Sequence, residues 1–425
     1  MNGLLRVKGC ANKFLYKITI MKIKYRNLIF LLFFFSFNIT IAEEDDGLNF
    51  LSPENDLSTY SENVLVNAIE NIKKNKIEQA SEQLSKLIKI NPDFRAAQLI
   101  YADLMLSRSQ PITDFGNIDN ASFNHIDSLF SEVKARWDFR KIVIDNEKLP
   151  SSLITIANTQ SHIIVVDASI SRLFLFENEN GIPRLKSDFY VTIGKNGTGK
   201  YTEGDQKTPI GVYFITGFIP SEDLPDLYGD GAFPLDYPNA WDKRHSRTGY
   251  GIWLHGTPSK TYSRAPKDSN GCVIVSNTDL NTLSNFIDEG KTPVVITNSI
   301  SWIKKQDWES RNNNYNLLIE KWRQDWQSRN VDLYLQHYSK DYVGLGKDYN
   351  SWVDYKRRVI PTKKFIKVNL TNKSVFLYPE IPNLMVVTFL QDYTSDTFSR
   401  KFIKRQYWKM EEDGKWRIIY EGAAS

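Results

Sequence analysis

The chain has 425 residues, a formal net charge of +4, 24% charged and 41% hydrophobic residues, which is too much for one ordinary core and enough for two or three domains. Residues 1–42 hold seven Lys/Arg and no Asp/Glu, so the remainder carries 47 basic against 50 acidic residues. The positive excess therefore belongs to the amino end, and with no clustered basic face a nucleic-acid partner is excluded from the expected functions.

From Met21, the expected initiator, Lys22, Lys24 and Arg26 precede an apolar run from Leu28 to Phe37, and the short residues Thr40 and Ala42 precede Glu43. That is the layout of a secretory signal peptide, which makes 1–42 a removable segment and the protein an exported one. The run is short for a membrane span; an uncleaved anchor is the alternative. Residues 43–59 are acidic and polar and read as a flexible lead-in. Over 60–150, Ala80, Leu84, Leu87 and Ile88 recur at helical spacing, Asn91-Pro92-Asp93 interrupts, and Ala96, Leu99, Ile100 and Leu104 resume. This α-helical unit resembles a tetratricopeptide-type (TPR-like) repeat, in too few copies to support itself, so it is expected to pack on its neighbour.

Over 151–299 the short β-branched and aromatic runs HIIVVD, RLFLFE, SDFYVTIG, GVYFITGF, GIWLHG, CVIVS and PVVIT, punctuated by Gly, Asn, Pro and Asp, predict a mostly-β domain. One helix, TDLNTLSNFIDEG, follows the cysteine run, with Asn277 or Thr278 as cap and Gly290 as stop. Residues 300–310 are expected to be a linker. Over 311–425 an amphipathic helical start (Leu318, Trp322, Trp326, Leu333, Tyr334) and four strand-like runs predict an α+β domain.

Of two cysteines, Cys10 falls in the removable segment, and Cys272 is left without an intramolecular partner. Such a thiol is either an inert core residue or a nucleophile. A nucleophile needs a base. Among the histidines at 125, 162, 245, 255 and 337, His255 ends the strand YGIWL before Gly256, and Cys272 follows Gly271 at the start of CVIVS, so strand ends joined by a polar loop bring the two side chains together. Gly271 permits a sharp turn and lets main-chain N–H groups face an oxyanion. Ser269 and Asn270 are expected to orient the imidazole. His245 reads as a solvated surface residue, and His125, His162 and His337 read as structural. No histidine has metal-ligand spacing, so neither a metal nor a cofactor is expected. GKNGTGK at 194–200 looks like a phosphate loop but continues into Tyr201 where a Ser or Thr belongs; it reads as a hairpin or substrate-proximal loop.

Together, His255-Gly256-Thr257, Ser269-Asn270-Gly271-Cys272 and EGDQKTPIGVYF at 203–214 resemble the catalytic domain of the YkuD-type L,D-transpeptidases, over roughly 161–297. The resemblance implies a β-sandwich-like fold and cysteine acyl transfer on peptidoglycan stem peptides in the periplasm or cell envelope. Cys272 would attack the third-residue carbonyl and expel the terminal D-alanine, His255 would take and return the proton, and an amine of a second stem would resolve the acyl-enzyme as a cross-link. Gly256, Thr257, Lys207 and Arg244 are expected near the substrate, the two cations meeting its carboxylates. The chain departs from the family at Asn270, where His or Arg is usual, and at Ile274, where Arg is usual. Trp326, Asp332, Tyr334, Leu335, Tyr338 and Trp352, with the terminal WRIIYEG, resemble the NTF2-like domain of the L,D-transpeptidase-like proteins that shape helical bacteria. Some of those are L,D-carboxypeptidases, with water as the acceptor. The expected function is an exported L,D-transpeptidase; the alternatives are an L,D-carboxypeptidase or hydrolase, and a non-catalytic wall-binding scaffold whose helical or NTF2-like part recruits another wall or envelope protein.

Overall fold

The computed structural model describes residues 57–109 and 123–424. The expected leader over 1–42, the lead-in as far as residue 56, Cys10 and the side chain of His125 lie outside them. The helical region consists of α1 (Leu57–Lys73), α2 (Ile77–Ile90), α3 (Arg95–Leu106) and α4 (Phe123–Phe139). Ala80, Leu84 and Leu87 of α2 meet Ala96, Ala97, Ile100 and Leu104 of α3, with Leu65 and Ala68 of α1 and Val133 of α4 closing the core. As expected, this core packs on its neighbour. Tyr262, from the domain that follows, packs into it with its ring 4.4 Å from that of Phe94.

An ionic cluster lies at the same junction. Glu62 of α1 bonds Arg136 of α4 and Arg172 of the next domain, Arg136 also reaches Glu132, and Arg172 reaches Asp188 at 3.3 Å. Burial pushes the Glu62 carboxyl up, but the two guanidinium groups outweigh it and hold the group below its ordinary value. Asp188, where burial outweighs Arg172, is pushed up to about 6.

Two short strands, β1 (Lys148–Pro150) and β2 (Leu153–Thr155), lead into a five-stranded sheet built from β3 (His162–Asp167), β4 (Arg172–Glu179), β5 (Ile182–Tyr190), β7 (Gly211–Phe214) and β13 (Pro293–Thr297), in the order β5-β4-β3-β13-β7. A second sheet, β12-β10-β9-β8, uses β8 (Ile219–Pro220), β9 (Gly231–Pro234), β10 (Trp253–His255) and β12 (Val273–Ile274). The pair β6 (Ile193–Gly194) and β11 (Lys267–Ser269) joins them, and α5 (Ala240–Arg244) and α6 (Asn277–Ser284) flank them. Ile164, Val166, Leu173, Leu175 and Ile296 face Leu254, Val273, Leu280 and Leu283 in the domain core. The alternate residues Ile163, Val165, Phe174, Phe176, Val212, Phe214 and Val295 face away from it and are equally buried. A sheet covered on both faces needs no polar face, which is why HIIVVD and RLFLFE read as unbroken apolar runs.

The cover on that second face is the carboxy-terminal domain. It opens with β14 (Trp302–Lys304), α7 (Lys305–Gln327) and α8 (Val331–Leu335). The hairpin β15 (Val343–Gly344) and β16 (Lys347–Asp348) and helix α9 (Tyr349–Val359) follow. Four long strands, β17 (Ile366–Leu377), β18 (Leu384–Ser395), β19 (Ser399–Met410) and β20 (Trp416–Ala423), form its sheet. Phe376, Tyr378, Leu384, Val386, Tyr407 and Ile419 pack on the five-stranded sheet of the preceding domain, whereas Val375, Met385, Val387, Phe389, Trp408 and Ile418 pack on Ile319, Trp322, Trp326, Tyr334 and Trp352 of the helices. Trp322, Trp326, Tyr334, Tyr338 and Trp352 all lie in this core. Among them sits Lys356, its ammonium 4.3 Å from the Trp352 ring; burial brings it down to about 7, although Glu421 opposes the shift.

Several boundaries differ from expectation. There is no linker at 300–310: β14 pairs with β1, α7 begins at Lys305, and the buried Trp308 indole donates to Leu153 O. Residues 153–155, expected in the catalytic domain, form the edge of the carboxy-terminal sheet, with Thr155 opposite Val375 and Leu153 opposite Phe376. Leu333 is 36% exposed, because α7 stops at Gln327 and Asn330 caps a new helix that turns Tyr334 and Leu335 inward instead. The cap of α6 is Ser276, whose hydroxyl accepts from Asp279 N; Asn277 is occupied elsewhere.

The ionic junction supplies a test of docking. Glu62→Gln leaves Arg136 and Arg172 short of a buried carboxylate and is expected to cost about 3 kcal/mol. The measurement is the first urea unfolding transition, and an unmoved midpoint would show that apolar contacts alone seat the helices.

Candidate functional site

The parallel pairing of β10 with β12 sets Leu254 opposite Val273 and His255 opposite Ile274. Leu254 and Val273 point into the core, so strand alternation places Trp253, His255, Cys272 and Ile274 on the other face. The residue singled out as base thus ends β10, and the one singled out as nucleophile immediately precedes the adjacent β12, with side chains on the same side. His255 is buried, and its Nδ1 lies 2.7 Å from Gly256 O. A carbonyl only accepts, so Nδ1 carries the proton and Nε2 holds the lone pair. The imidazole is therefore oriented by Gly256 O; Ser269 and Asn270, expected in that role, do not hold it.

Ser269 does something else. Its hydroxyl donates to Cys272 O at 2.7 Å and accepts from Gly271 N at 3.0 Å, closing the turn that presents the cysteine. The Gly271 N–H expected to face an oxyanion is thereby engaged. Gly271 has φ +125°, and a Cβ there would lie 2.8 Å from Lys207 O, so the residue must be glycine both for its backbone and for its neighbour. Asn270 is exposed at the tip of this turn.

The TPxGxY element has a physical role that the sequence did not disclose. The Thr208 hydroxyl, fully buried, donates to Gly271 O at 2.9 Å and accepts from Gly194 N at 2.9 Å, pinning the cysteine turn to β6. The GKNGTGK stretch folds back beside it, with Thr198 bridged to Thr208. Its Lys200 is buried, at 2.8 Å from Asp205 Oδ1. Burial pushes the Asp205 carboxyl up, yet Lys200 and three backbone N–H groups bring it to about 2. On the histidine side, the Asn277 side chain accepts from Thr257 N at 3.0 Å and donates to Thr257 O at 2.9 Å. A Cβ on Gly256 would come within 2.0 Å of that side-chain oxygen, so the latch requires glycine.

Of the two cations expected near substrate, Lys207 lies with its backbone against Gly271. Arg244 does not belong with it. Its guanidinium donates to Ile419 O at 3.1 Å and Asp341 O at 2.5 Å, because α5 packs on the carboxy-terminal domain; it is a tie between domains. His245 is held by Trp241, His162 packs on Phe286, and His337 lies 2.7 Å from Asp325.

Tyr228 escaped the sequence reading because it lies in an irregular loop with no periodicity to mark it. Its ring stands edge-on to His255 at 5.0 Å and tilted on Trp253 at 4.8 Å, and its carbonyl accepts from Gly256 N. Its phenol is raised by burial and then by the field of Cys272.

The half-buried Cys272 thiol donates to Gly251 O at 3.4 Å. Burial pushes it up, against the Trp253 N–H and the charges of Arg264 and Lys200. Burial also takes His255 down to about 4; Gly256 O opposes this and Arg264 adds to it. The resting pair is therefore neutral thiol and neutral imidazole. Such a pair transfers its proton during attack on an electrophile instead of beforehand.

Two family models match. The L,D-transpeptidase catalytic domain of the YkuD family covers residues 161–296, and the Cds6 C-terminal NTF2-like domain covers 303–422. The structure is similar to that of Bd1075 from Bdellovibrio bacteriovorus, with 30% identity, 65% of this chain and 98% of that chain covered, and a TM-score of 0.58. It is also similar in fold to the helical cell shape determining protein Pgp2 from Campylobacter jejuni, with 23% identity, 67% of this chain and 98% of that one covered, and a TM-score of 0.53. No curated protein matches the chain.

The raised thiol has a direct readout. Iodoacetamide labelling of Cys272, mapped by peptide mass, is expected to be slower than that of free cysteine at pH 7 and still accelerating above pH 9. Labelling faster than free cysteine at pH 7 would instead indicate a preformed thiolate.

Proposed function

The chain belongs to the L,D-transpeptidase family of the YkuD type, and from that premise we propose that it is an exported cysteine acyltransferase acting on peptidoglycan stem peptides. The observation that carries the reading is His255 at the end of β10 and Cys272 at the entry to its parallel neighbour β12, with Nδ1 of the imidazole locked onto Gly256 O. In the proposed reaction Sγ attacks the carbonyl carbon of the third stem residue as the thiol proton passes to His255 Nε2. The tetrahedral intermediate collapses, the C–N bond to the terminal D-alanine breaks, and His255 returns the proton to the leaving amine. An acceptor then attacks the thioester, gives its own proton to His255, and regenerates the thiol. With an amine as acceptor the product is a cross-link or a wall attachment.

A second reading, hydrolysis by water to trim tetrapeptide to tripeptide, is favoured by the likeness to a helical cell shape determining protein, and would make this chain a cell-shape factor. Mass analysis of the products from purified tetrapeptide muropeptides separates the two: new dimers mark transpeptidation and tripeptides alone mark trimming. Cys272→Ala is expected to lower either product by more than about 10³-fold. Retained turnover in that variant would refute the mechanism, and a wild-type protein that binds muropeptides without turnover would favour a wall-binding scaffold.

The acid limb of the pH profile should be displaced. The base works only as neutral imidazole, and burial holds His255 neutral down to about 4, so kcat/KM is expected to hold from neutrality to about pH 5 and to fall as the pH drops through about 4. A limb near the ordinary imidazole value of about 6.5 would mean that burial does not hold His255 neutral in the acid range.

A further inference from the structure

Ile274, two residues past the cysteine, is apolar and 2% exposed, so the strand carrying the nucleophile brings no cation to the site. The cations whose fields reach Cys272 are Arg264 and Lys200. Lys200 is committed to Asp205 and Thr202 O inside its own loop. Arg264 is placed differently. Its carbonyl accepts from Tyr190 Oη at 2.9 Å and Thr192 Oγ1 at 3.1 Å, while the Thr192 backbone exchanges both its bonds, each 2.9 Å, with Ile274. One residue thus fastens Arg264 beside the position where the cysteine strand lacks a charge. The guanidinium donates through Nε to Asp268 Oδ2 at 2.9 Å and through Nη2 to Asp268 O at 2.5 Å, which fixes its plane and leaves the Nη1 end, on a side chain 20% exposed, to meet a ligand.

The loop is also held from the helical side. Ser263 donates to Glu132 at 2.5 Å, Tyr262 N donates to Asp93 O at 3.3 Å, and the Tyr262 ring packs on Phe94. An arginine so fastened has little freedom left to lose on binding, and its planar fork suits a carboxylate better than an ammonium would.

We propose that Arg264 is the specificity-determining anion anchor of the site, binding a carboxylate of the donor peptide through its Nη1 end beside Cys272, and that the helical domain serves to hold this residue in place. The inference rests on the stem-peptide reading of the substrate. A stem tetrapeptide carries several carboxylates, and the anchor takes one of them.

The test measures binding, so that it does not depend on turnover. In the full chain carrying Cys272→Ala, titration calorimetry compares a synthetic stem tetrapeptide with analogues in which each carboxylate in turn is a carboxamide. Adding Arg264→Gln is expected to weaken the free-acid peptide roughly 10- to 100-fold, with Arg264→Lys intermediate. The analogue whose amide removes the anchored carboxylate should lose affinity for the protein that keeps Arg264 but not for the Arg264→Gln variant, which names the carboxylate. Equal affinity with and without the Arg264→Gln substitution, or a loss that is the same for every analogue, would overturn the anchor, the latter pointing to a role in loop structure alone. If the wild-type chain shows no turnover while the coupling persists, acyl transfer fails and the anchor stands; if no peptide binds, both fail.

Discussion

The structure depends on one apolar layer between two sheets. The five-stranded sheet of the YkuD-type domain sends Phe174, Phe176, Val212 and Phe214 out of its rear face, and the carboxy-terminal sheet sends Phe376, Tyr378, Val386 and Tyr407 to meet them. All eight are buried, and removing a buried aromatic of this kind costs about 3–5 kcal/mol. A family boundary drawn between residues 296 and 303 therefore separates two sequence patterns but not two independent bodies. Polar ties reinforce the layer at its edge: Arg405 meets Asp236 at 2.7 Å, and Asn239 donates to Tyr378 Oη at 3.0 Å.

With its rear face fixed, the five-stranded sheet supports the second sheet on its other side, where short polar links position Cys272 and His255. Thr208 ties the cysteine turn to β6, Asn277 ties the histidine turn to α6, and Ser269 closes the cysteine turn on itself. Each link ends on a backbone group, so geometry is set by main chain, and the catalytic side chains inherit it. The steric demands at Gly256 and Gly271 follow from the same links, since a methyl group at either would strike Asn277 or Lys207.

How much was legible in the sequence follows from these physics. Unbroken apolar runs marked the strands of the double-faced sheet, and the lone cysteine and strand-end histidine marked the candidate site, because such residue types are rare in this chain. Residues acting through backbone groups left no such trace. Ser269 looked like an orienter of the imidazole and proved to be a clamp on the turn; Arg244 looked like a substrate cation and ties the domains; Tyr228 lay in a loop without periodicity. The segment at 300–310 read as a linker because its polar residues hid Trp302 and Trp308, which pair and pack only once the distant residues 148–153 are in place.

That pairing bears on how the chain comes together. Strand β2 precedes the whole catalytic domain in sequence yet completes the sheet that is synthesised last, through Leu153 opposite Phe376. Contacts between such distant segments are slow to form, because the intervening chain must be ordered first. A chain made amino end first presents Cys272 well before the sheet that backs its domain. The carboxy-terminal domain thus closes the rear face, and a chain truncated before it would leave Phe174, Phe176, Val212 and Phe214 without their cover.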